Sequence, residues 1–533
     1  MFRKYFHEII LFLTVLITRL PFVSHYLYSW DAVQLSLALQ KFSLQQHQPH
    51  PPGYILYVFL GKIFNFIFFD ANLAYVIISI VATIFTVIIF YYFCSLFFDN
   101  KKFAFWLSFI LIFNPYFWFF GEVASTYIFD ALFSVIFVFL SLLIIKSKKV
   151  KYLYWFSFFL ACAGGIRESL LLLFLPLWFF VSIFLIKNKS INFKQLGYSI
   201  VIGFSSFLVW FIPLIYLSDG WHNYLSVTNW QLSHAVSATS IFQVASWQFF
   251  LVNLKSVTKV TIIILNVLIL LPIFIFYSQN KEQIKDIFTR PNIILFLLWL
   301  LPSYFFYSFV HFGNPGYLMT VTLSLIVLFS APLFFIFKTG KLKIFFFITM
   351  CVCLLETYFF CFGANFFTKP YVGTKIYNLS LWYTKFSYQS ITDFDGLMAN
   401  YRSEISQFNP ANTILITEKS FQYRLEGQDE WISNMGEYFR HLEYYLPDYN
   451  LYELFGNNKN PQYFHIKNRS ALKIIYARKI FIPRQVDKII IIADNIDKEV
   501  IKQSGAYRFG NLFIIDLKNK DKVEYYFYEF IKN

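Results

Sequence analysis

The sequence predicts a polytopic α-helical membrane protein with a small α/β domain at its C-terminal end. Three observations lead to this fold class. The chain is 58% hydrophobic and only 14% charged, unlike the average soluble domain. About eleven apolar stretches fill residues 1–366, and many of them approach the 20 or so residues that cross a bilayer. Beyond residue 366 the pattern changes to short strand-like runs.

The predicted spans follow one another closely, so several neighbouring helices are expected to run antiparallel. The first stretch resembles a signal peptide, but no small-residue cleavage site follows it, and it is expected to remain as an uncleaved span. The expected spans are 8–25, 72–98, 103–120, 122–145, 152–166, 168–186, 196–217, 249–277, 292–310, 316–337 and 344–364.

Lysine and arginine crowd into every second gap between the spans. By the positive-inside rule these gaps face the cytoplasm. The N-terminus is then inside, and the C-terminal domain is outside. The formal net charge of +15 comes mainly from the membrane part and does not indicate a nucleic-acid partner. The basic gaps read "DNKK" (99–102), "KSKKVK" (146–151), "KNKSINFK" (187–194), "KEQIKDIFTR" (281–290) and "KTGKLK" (338–343).

Two of the outer loops, 26–71 and 218–248, are long. In the first, Ser29 is placed to cap a helix whose apolar positions Val33, Leu37 and Phe42 suggest a face on the membrane surface. The prolines and glycine of "HQPHPPGY" forbid a helix there. The apolar run at 54–69 is interpreted as an interfacial helix.

The C-terminal domain is predicted to cover residues 367–533. Strand-like runs "TILIT" (413–417), "KIIIIAD" (488–494) and "NLFIIDL" (511–517) interleave with a helical "EYFRHLEYYLP" (437–447), a pattern typical of an α/β domain. The domain's sequence contains no glycine-rich phosphate loop. All five cysteines lie in apolar segments, which favours buried small hydrophobes over disulfides or a metal site.

Asp31 is the first catalytic candidate, because it follows the first span at the membrane boundary. Partial desolvation by Trp30 and lipid would suit its carboxylate to act as a general base. The alternative is structural, since an acid in the first helical turn is favoured by the helix dipole.

Other candidates share the outer side of the membrane. His50, in the proline-rich loop, would bind a phosphate or an acceptor. Arg167 would clamp phosphate oxygens, or would pair with Glu168 or Glu122 as a structural tie. Ionisable groups such as Glu122, at the end of a span, are functional candidates by default. Further loop candidates are His311, Asp219, His222 and His234.

Four segments together resemble the GT-C glycosyltransferases, and specifically the glycosyltransferase family 39 type, which includes bacterial protein O-mannosyltransferase and aminoarabinose-transferase-like membrane proteins. The resemblance covers the membrane part of the chain. Its segments are "WDAVQLSLAL…HQPHPPGYILYVFLGKIF" (30–64), "GEVASTYIFDALF" (121–133), "GGIRESLLLLFLPLW" (164–178) and "HFGNPGYLM" (311–319).

The resemblance implies an inverting transfer of a sugar from a polyprenyl-phosphate carrier to an acceptor on the outer face of the plasma membrane. It maps the first-loop base onto Asp31, with Arg167 and His50 stabilising the leaving phosphate. If Asp31 is not the base, Glu122 is the first alternative. No cofactor and no metal are expected, since a lipid phosphate is already a competent leaving group. Protein O-mannosyltransferases carry two consecutive acids here, whereas Ala32 follows Asp31, which favours the bacterial lipid- or glycan-modifying relatives.

Three alternatives remain open from the sequence. A lipid-linked sugar flippase or transporter would use mid-span acids such as Asp130 and Glu356. A non-catalytic scaffold would present the C-terminal domain. A glycan ligase or polymerase of the same superfamily would use a lipid-linked oligosaccharide. The sequence names neither the sugar, the carrier length, the acceptor nor the oligomeric state.

Overall fold

The computed structural model describes most of the chain as two compact units. The first unit comprises Met1–His25 and Pro51–Thr392, and the second comprises Tyr26–His50 and Asp393–Asn533. The described residues are 5–237, 240–244, 247–277, 289–363, 385–418, 438–457, 460–466, 475–493, 496, 498–518 and 520–533. Most of the basic gap 281–290 and the predicted domain boundary at residue 366 lie outside them, so that boundary stays a prediction.

Helices make up most of the described part of the first unit, and some further helices belong to the second unit. In chain order they are α1 (Phe6–Arg19), α2 (Trp30–Gln40), α3 (Ile55–Phe68), α4 (Ala71–Phe98), α5 (Lys101–Phe113), α6 (Pro115–Phe120), α7 (Tyr127–Ser147), α8 (Lys151–Ile166), α9 (Ser169–Lys187), α10 (Phe193–Leu217), α11 (Trp221–Ser237), α12 (Ile241–Val244), α13 (Trp247–Leu265), α14 (Arg290–Phe309), α15 (Met319–Lys338), α16 (Leu342–Phe362), α17 (Tyr388–Ile405), α18 (Phe439–Tyr445) and α19 (Lys498–Ser504). A 3₁₀ stretch, Asn266–Tyr277, continues α13.

Every predicted span overlaps a helix, and within the described residues eight helices are long and apolar enough to cross a membrane. These are α4, α7, α9, α10, α13 with its 3₁₀ continuation, α14, α15 and α16. The other three predicted spans are shorter or broken. α1 has 14 residues and α8 has 16, while the third is divided between α5 and α6 at Asn114.

Asn114 shows how the break is stabilised. Its side chain accepts a hydrogen bond from Phe117 N at 3.2 Å, which caps α6. The same side chain donates to the carbonyl of Ile264 at 2.8 Å, near the end of α13. Pro115 stands at the first position of α6, where its missing N–H costs nothing. The Asn114 side chain at the break therefore has hydrogen-bond partners although it is buried in an apolar unit.

The first loop differs from the expectation of a helix lying on the membrane surface. Ser29 caps α2 as predicted, accepting from Ala32 N at 3.2 Å, but all seven residues from Ala32 to Ala38 are buried. Since Val33 and Leu37 are enclosed, the helix has no apolar face left for lipid. α3, in contrast, exposes Phe59, Phe66 and other large apolar side chains, as an interfacial or lipid-facing helix would.

The second unit is built on a seven-stranded mixed sheet. The strands of this unit are β1 (Thr413–Glu418), β2 (Asn450–Asn457), β3 (Asn460–Ile466), β4 (Ile475–Tyr476), β5 (Lys479–Ile482), β6 (Lys488–Ile492), β7 (Tyr507–Phe509), β8 (Leu512–Asp516), β9 (Lys522–Tyr525) and β10 (Tyr528–Lys532). The parallel centre of the large sheet is formed by β2, β1 and β6, and antiparallel strands extend both sides to give the order β4-β3-β2-β1-β6-β8-β7. A second sheet has the order β5-β10-β9.

Each face of the large sheet is covered by a different layer. Ile414 and Ile489 contribute to a core shared with the smaller sheet. Leu415 and Ile490, one residue further along their strands, contribute to a core shared with α17 and α18, as alternation along a strand requires. Tyr26 and Trp30 pack against this helical core. The three predicted strand runs and the predicted helix are confirmed as β1, β6, β8 and α18.

Candidate active site

Arg167 lies at the break between two helices of the first unit. α8 ends at Ile166, Arg167 is extended with φ −152° and ψ 113°, and α9 begins at Ser169. The preceding glycines let other elements approach, since a Cβ at Gly165 would stand 2.6 Å from Leu56 of α3. The helix break therefore turns a long basic side chain into the interior of the unit, where it is buried.

The partner of Arg167 is Asp130. The Nε to Oδ1 distance is 3.0 Å, and the aspartate side chain is completely buried. Among the described residues, the ion pair of Arg167 is with Asp130 and not with Glu168 or Glu122, the two partners expected from the sequence. Asp130 is also not a mid-span acid, because α7 begins only at Tyr127 and places Asp130 in its first turn. An acid near a helix N-terminus is favoured by the dipole.

Aromatic rings enclose the same guanidinium. The Cζ atom of Arg167 lies 4.5 Å from the ring centroid of Tyr127 and 5.3 Å from that of Tyr317, within cation–π range. Arg167 Nη1 also donates to Thr126 Oγ1 at 3.1 Å. Gly316 is required beside this cluster, because a Cβ there would come within 2.4 Å of the Tyr127 ring.

Three of the four segments that carry the family resemblance thus meet at Arg167. Segment 121–133 supplies Tyr127 and Asp130, segment 164–178 supplies Arg167, and segment 311–319 supplies Tyr317. The end of the proline-rich loop is close as well, since the backbone N–H of Tyr54 donates to the Glu168 carboxylate. Sequence segments far apart in the chain converge on one buried cation.

Glu122 lies away from Asp130, in the turn that joins α6 to α7. It is fully buried, and one carboxylate oxygen accepts a hydrogen bond from Trp118 Nε1. Arg19 is buried nearby, its Cζ atom 4.9 Å from the Trp118 ring and its Nη2 donating to the carbonyl of Ile112 at 2.7 Å. This enclosed setting supports a structural tie, and a catalytic role for Glu122 stays a prediction.

Asp31 and His50 come together in the second unit. Asp31 Oδ1 lies 3.9 Å from His50 Nδ1, and the aspartate side chain is 40% exposed. Asp31 is the second residue of α2, so its place beside the helix N-terminus agrees with the dipole interpretation as well as with the functional one. An accessible carboxylate next to an imidazole is the arrangement that proton transfer needs.

His47 is held in the same segment with a left-handed backbone, φ 52°. Burial and, to a smaller extent, the positive charges of Arg440 and His50 together lower its pKa to about 4. At neutral pH this imidazole is uncharged.

The remaining candidates are more peripheral. His311 lies in the turn before α15, with its ring centroid 6.0 Å from that of Tyr317, so it borders the Arg167 cluster. Asp219 and His222 are exposed at the turn between α10 and α11. Among the described residues, neither shares a hydrogen bond or ion pair with Arg167. His234 lies in α11, and its side chain lies outside the described residues.

Sequence reasoning missed Arg19 and Arg440 and misplaced Asp130. Arg19 lies inside the predicted first span. The only sequence signal for it is a charged residue within an apolar run. Arg440 of α18 is buried and pairs with Glu443 at 2.6 Å, although its segment reads as an ordinary amphipathic helix. An i, i+3 pair of opposite charges marks many exposed helices, so the pattern alone does not reveal burial.

No protein-family model matches this chain, and no curated protein matches it by sequence. Solved structures do match. The crystal structure of ArnT from Cupriavidus metallidurans bound to undecaprenyl phosphate aligns over 83% of this chain and 84% of that chain, with a TM-score of 0.50 and 10% identity. The structure of the same protein in the apo state aligns over 84% and 85%, with a TM-score of 0.48 and 12% identity.

At such low identity the likeness concerns the fold. The chain is a multi-pass membrane protein that shares the fold of this ArnT structure and has a small strand-containing C-terminal domain. The predicted fold class is therefore confirmed.

Proposed function

We propose that this protein is an inverting glycosyltransferase that moves a sugar from a polyprenyl-phosphate carrier to an acceptor hydroxyl on the outer face of the plasma membrane. The observation that carries the proposal is the buried Arg167 cluster, in a fold shared with an ArnT structure bound to undecaprenyl phosphate. A cation enclosed in an apolar membrane unit is costly. Such cost is expected where the cation serves an anionic ligand.

Arg167 is the proposed ligand for the carrier phosphate. Its contacts with Asp130 and Thr126 use Nε and Nη1, whereas a guanidinium carries five N–H donors. The rings of Tyr127 and Tyr317 lie within cation–π distance of its Cζ atom and limit where the side chain can move. As the bond from the anomeric carbon to the phosphate oxygen breaks, negative charge grows on the phosphate, and a preoriented cation stabilises that charge.

Asp31 is the proposed general base. It would accept the proton of the acceptor hydroxyl while that oxygen attacks the anomeric carbon from the side opposite the phosphate, which inverts the configuration. His50, 3.9 Å away, would orient the carboxylate or contact the phosphate. This chemistry requires an accessible carboxylate, and Asp31 has one. The mechanism assigns no step to a metal or cofactor.

The proposed setting is the plasma membrane, with the N-terminus in the cytoplasm and the C-terminal domain outside. The bilayer and a polyprenyl-phosphate sugar are the proposed partners, with a lipid, glycan or protein acceptor. A tag at the C-terminus should be cleaved by protease added to intact cells. Protection of that tag, with cleavage only after permeabilisation, would contradict the topology.

The direct test is transfer of labelled sugar from a panel of polyprenyl-phosphate sugars by purified protein in lipid. Candidate acceptors come from envelope lipids and glycans. Transfer with inverted configuration supports the proposal. If polyprenyl-linked sugar instead crosses the bilayer of sealed vesicles without being transferred, the flippase alternative replaces it.

A further inference from the structure

The first-loop segment 26–50, which carries Asp31 and His50, is held by α18 of the second unit. At its start, Leu27 is bonded twice. His441 Nε2 donates to the carbonyl of Leu27 at 2.8 Å, and the backbone N–H of Leu27 donates to the Tyr445 hydroxyl at 2.8 Å. The N–H of Tyr26 donates to Asp395 Oδ1 at 3.1 Å.

Arg440 holds the same segment at both ends. Its Nη2 donates to the carbonyl of Gln46 at 2.7 Å, near the end of the segment. Its Cζ atom lies 6.0 Å from the ring centroid of Trp30, at the beginning. Glu443 balances its charge through Nη1 at 2.6 Å. The guanidinium is almost completely buried, so these contacts are sheltered from water and strengthened by the low local dielectric.

The two ends joined by Arg440 are the ends that carry the candidate chemistry. Asp31 directly follows Trp30, and His50 lies four residues after Gln46. Between them, Ser43 and Gln48 exchange backbone hydrogen bonds of 2.6 and 2.9 Å, which close the turn. A displacement of either end would therefore change the distance between Asp31 and His50.

We propose that Arg440 is a positioning residue, which fixes segment 26–50 on α18 and thereby sets the geometry of Asp31 and His50. The C-terminal domain would then act in the transfer reaction itself, by preorganising the base. Preorganisation matters because displacing a reacting group by about 1 Å costs on the order of 10²-fold in rate. The effect on the transfer rate, the kinetic part of this inference, rests on the proposed function. The fixing of segment 26–50 on α18, the mechanical part, does not depend on it.

The mechanical part is tested by hydrogen exchange on the full-length protein in detergent. Replacing Arg440 alone would leave Glu443 buried without its partner, so Arg440→Met is combined with Glu443→Met. Tyr445→Phe is a gentler second variant that removes the hydroxyl bonded to Leu27. In both we expect amides 26–50 to exchange about tenfold faster, equivalent to a hydrogen bond or two.

Tyr449→Phe is the matched control. Its hydroxyl also bonds backbone carbonyls of the second unit, at Ile405 and Phe408, but it does not touch segment 26–50. Exchange of amides 26–50 should be unchanged in this variant. Equal exchange of that segment in the wild type, Tyr445→Phe and the Arg440→Met, Glu443→Met protein would overturn the proposal.

The kinetic part is tested by a double-mutant cycle. Tyr445→Phe should lower kcat about tenfold and leave the KM for the polyprenyl donor unchanged, because it displaces only the base. Combined with Asp31→Asn it should cost nothing further, since the base is already lost. Full additivity would show that α18 acts only on stability. If the variants show faster exchange of amides 26–50 but the wild-type protein has no transferase activity, the proposed function is wrong. The positioning of segment 26–50 by α18 would still stand.

Discussion

Two pairs of oppositely charged or chargeable side chains, one in each unit, differ in their spacing and in their exposure. In the membrane unit, Arg167 and Asp130 are 3.0 Å apart with side chains only 6% and 0% exposed. In the second unit, His50 and Asp31 are 3.9 Å apart with side chains 16% and 40% exposed. The first pair is tight, desolvated and flanked by tyrosines. The second pair is looser, and its carboxylate is partly exposed.

The difference separates the two tasks of a transfer reaction. A phosphate ligand works best as a fixed charge, whose electrostatic effect is large in a dry site. A general base has to meet an acceptor, exchange a proton and release it, which requires access. The buried pair therefore suits the proposed binding of the carrier phosphate, and the more exposed pair suits the proposed proton transfer. Each prediction below alters one side of this comparison.

The largest effect is expected for Asp31→Asn. Loss of a general base typically costs on the order of 10²–10⁴-fold in rate, and we expect kcat to fall by that amount. Donor affinity should change little, because Arg167 is retained. Labelled-sugar transfer gives the rate and direct lipid binding gives the affinity.

Asp70→Asn is the matched control for that change. Asp70 caps α4 through Leu73 N at 2.7 Å, and asparagine caps a helix equally well, so transfer should be normal. If Asp31→Asn also transfers normally, the base lies elsewhere and the open pair is structural.

The second effect is on stability. Arg167→Met leaves Asp130 buried without its partner, which should cost about 3–5 kcal/mol in the free energy of unfolding. Asp31→Ala breaks an exposed pair and should cost less than about 1 kcal/mol. Unfolding of the purified protein in mixed micelles measures both. Arg167→Met combined with Asp130→Leu should recover much of the lost stability. If Arg167→Met and Asp31→Ala cost the same free energy of unfolding, the two pairs do not differ in their contribution to stability.

The two pairs also differ in how far the sequence could predict them. Asp31 and His50 belong to one short segment, so the sequence alone makes both of them candidates, and their roles stay predictions. Arg167 was found because an arginine between two apolar spans is unusual. Its partner was not found, because the start of α7 is set by the turn at 121–126. Backbone bonds such as Ser24 N to Glu122 O, 3.1 Å, fix that turn.

The same distinction applies to the fold. Hydropathy and charge in the gaps locate helices, since both act along the chain. The assignment of segment 26–50 to the C-terminal unit depends on Arg440 and His441, about 400 residues later in the sequence. No local sequence pattern in α2 predicts this assignment. A helix buried inside the protein and a helix lying on the membrane surface can have the same apolar composition.

A third effect concerns pH and the second unit. The folded pKa of His47 is lowered to about 4 by burial and nearby positive charge, against about 6.5 in the unfolded chain. Between those values the unfolded state binds the proton, so stability should fall as the pH drops from 6.5 to 4. His47→Gln should flatten unfolding free energy against pH in that window. An unchanged slope would mean that segment 26–50 is open around His47.

The smallest effect tests the packing around the buried pair. Gly316→Ala would place a Cβ 2.4 Å from the Tyr127 ring, and overpacking of this kind costs about 1–3 kcal/mol. The displaced ring would no longer hold Arg167, so the affinity for polyprenyl phosphate should fall as well.

Gly396→Ala in α17 is the contrasting change in the second unit. Nothing lies within 4 Å of its Cβ position, and alanine in a helix interior should stabilise by about 0.5–1 kcal/mol. Unfolding and lipid-binding measurements on both variants separate the two cases. If Gly316→Ala binds polyprenyl phosphate normally while losing stability, the tyrosines pack the fold but do not orient Arg167 for a phosphate.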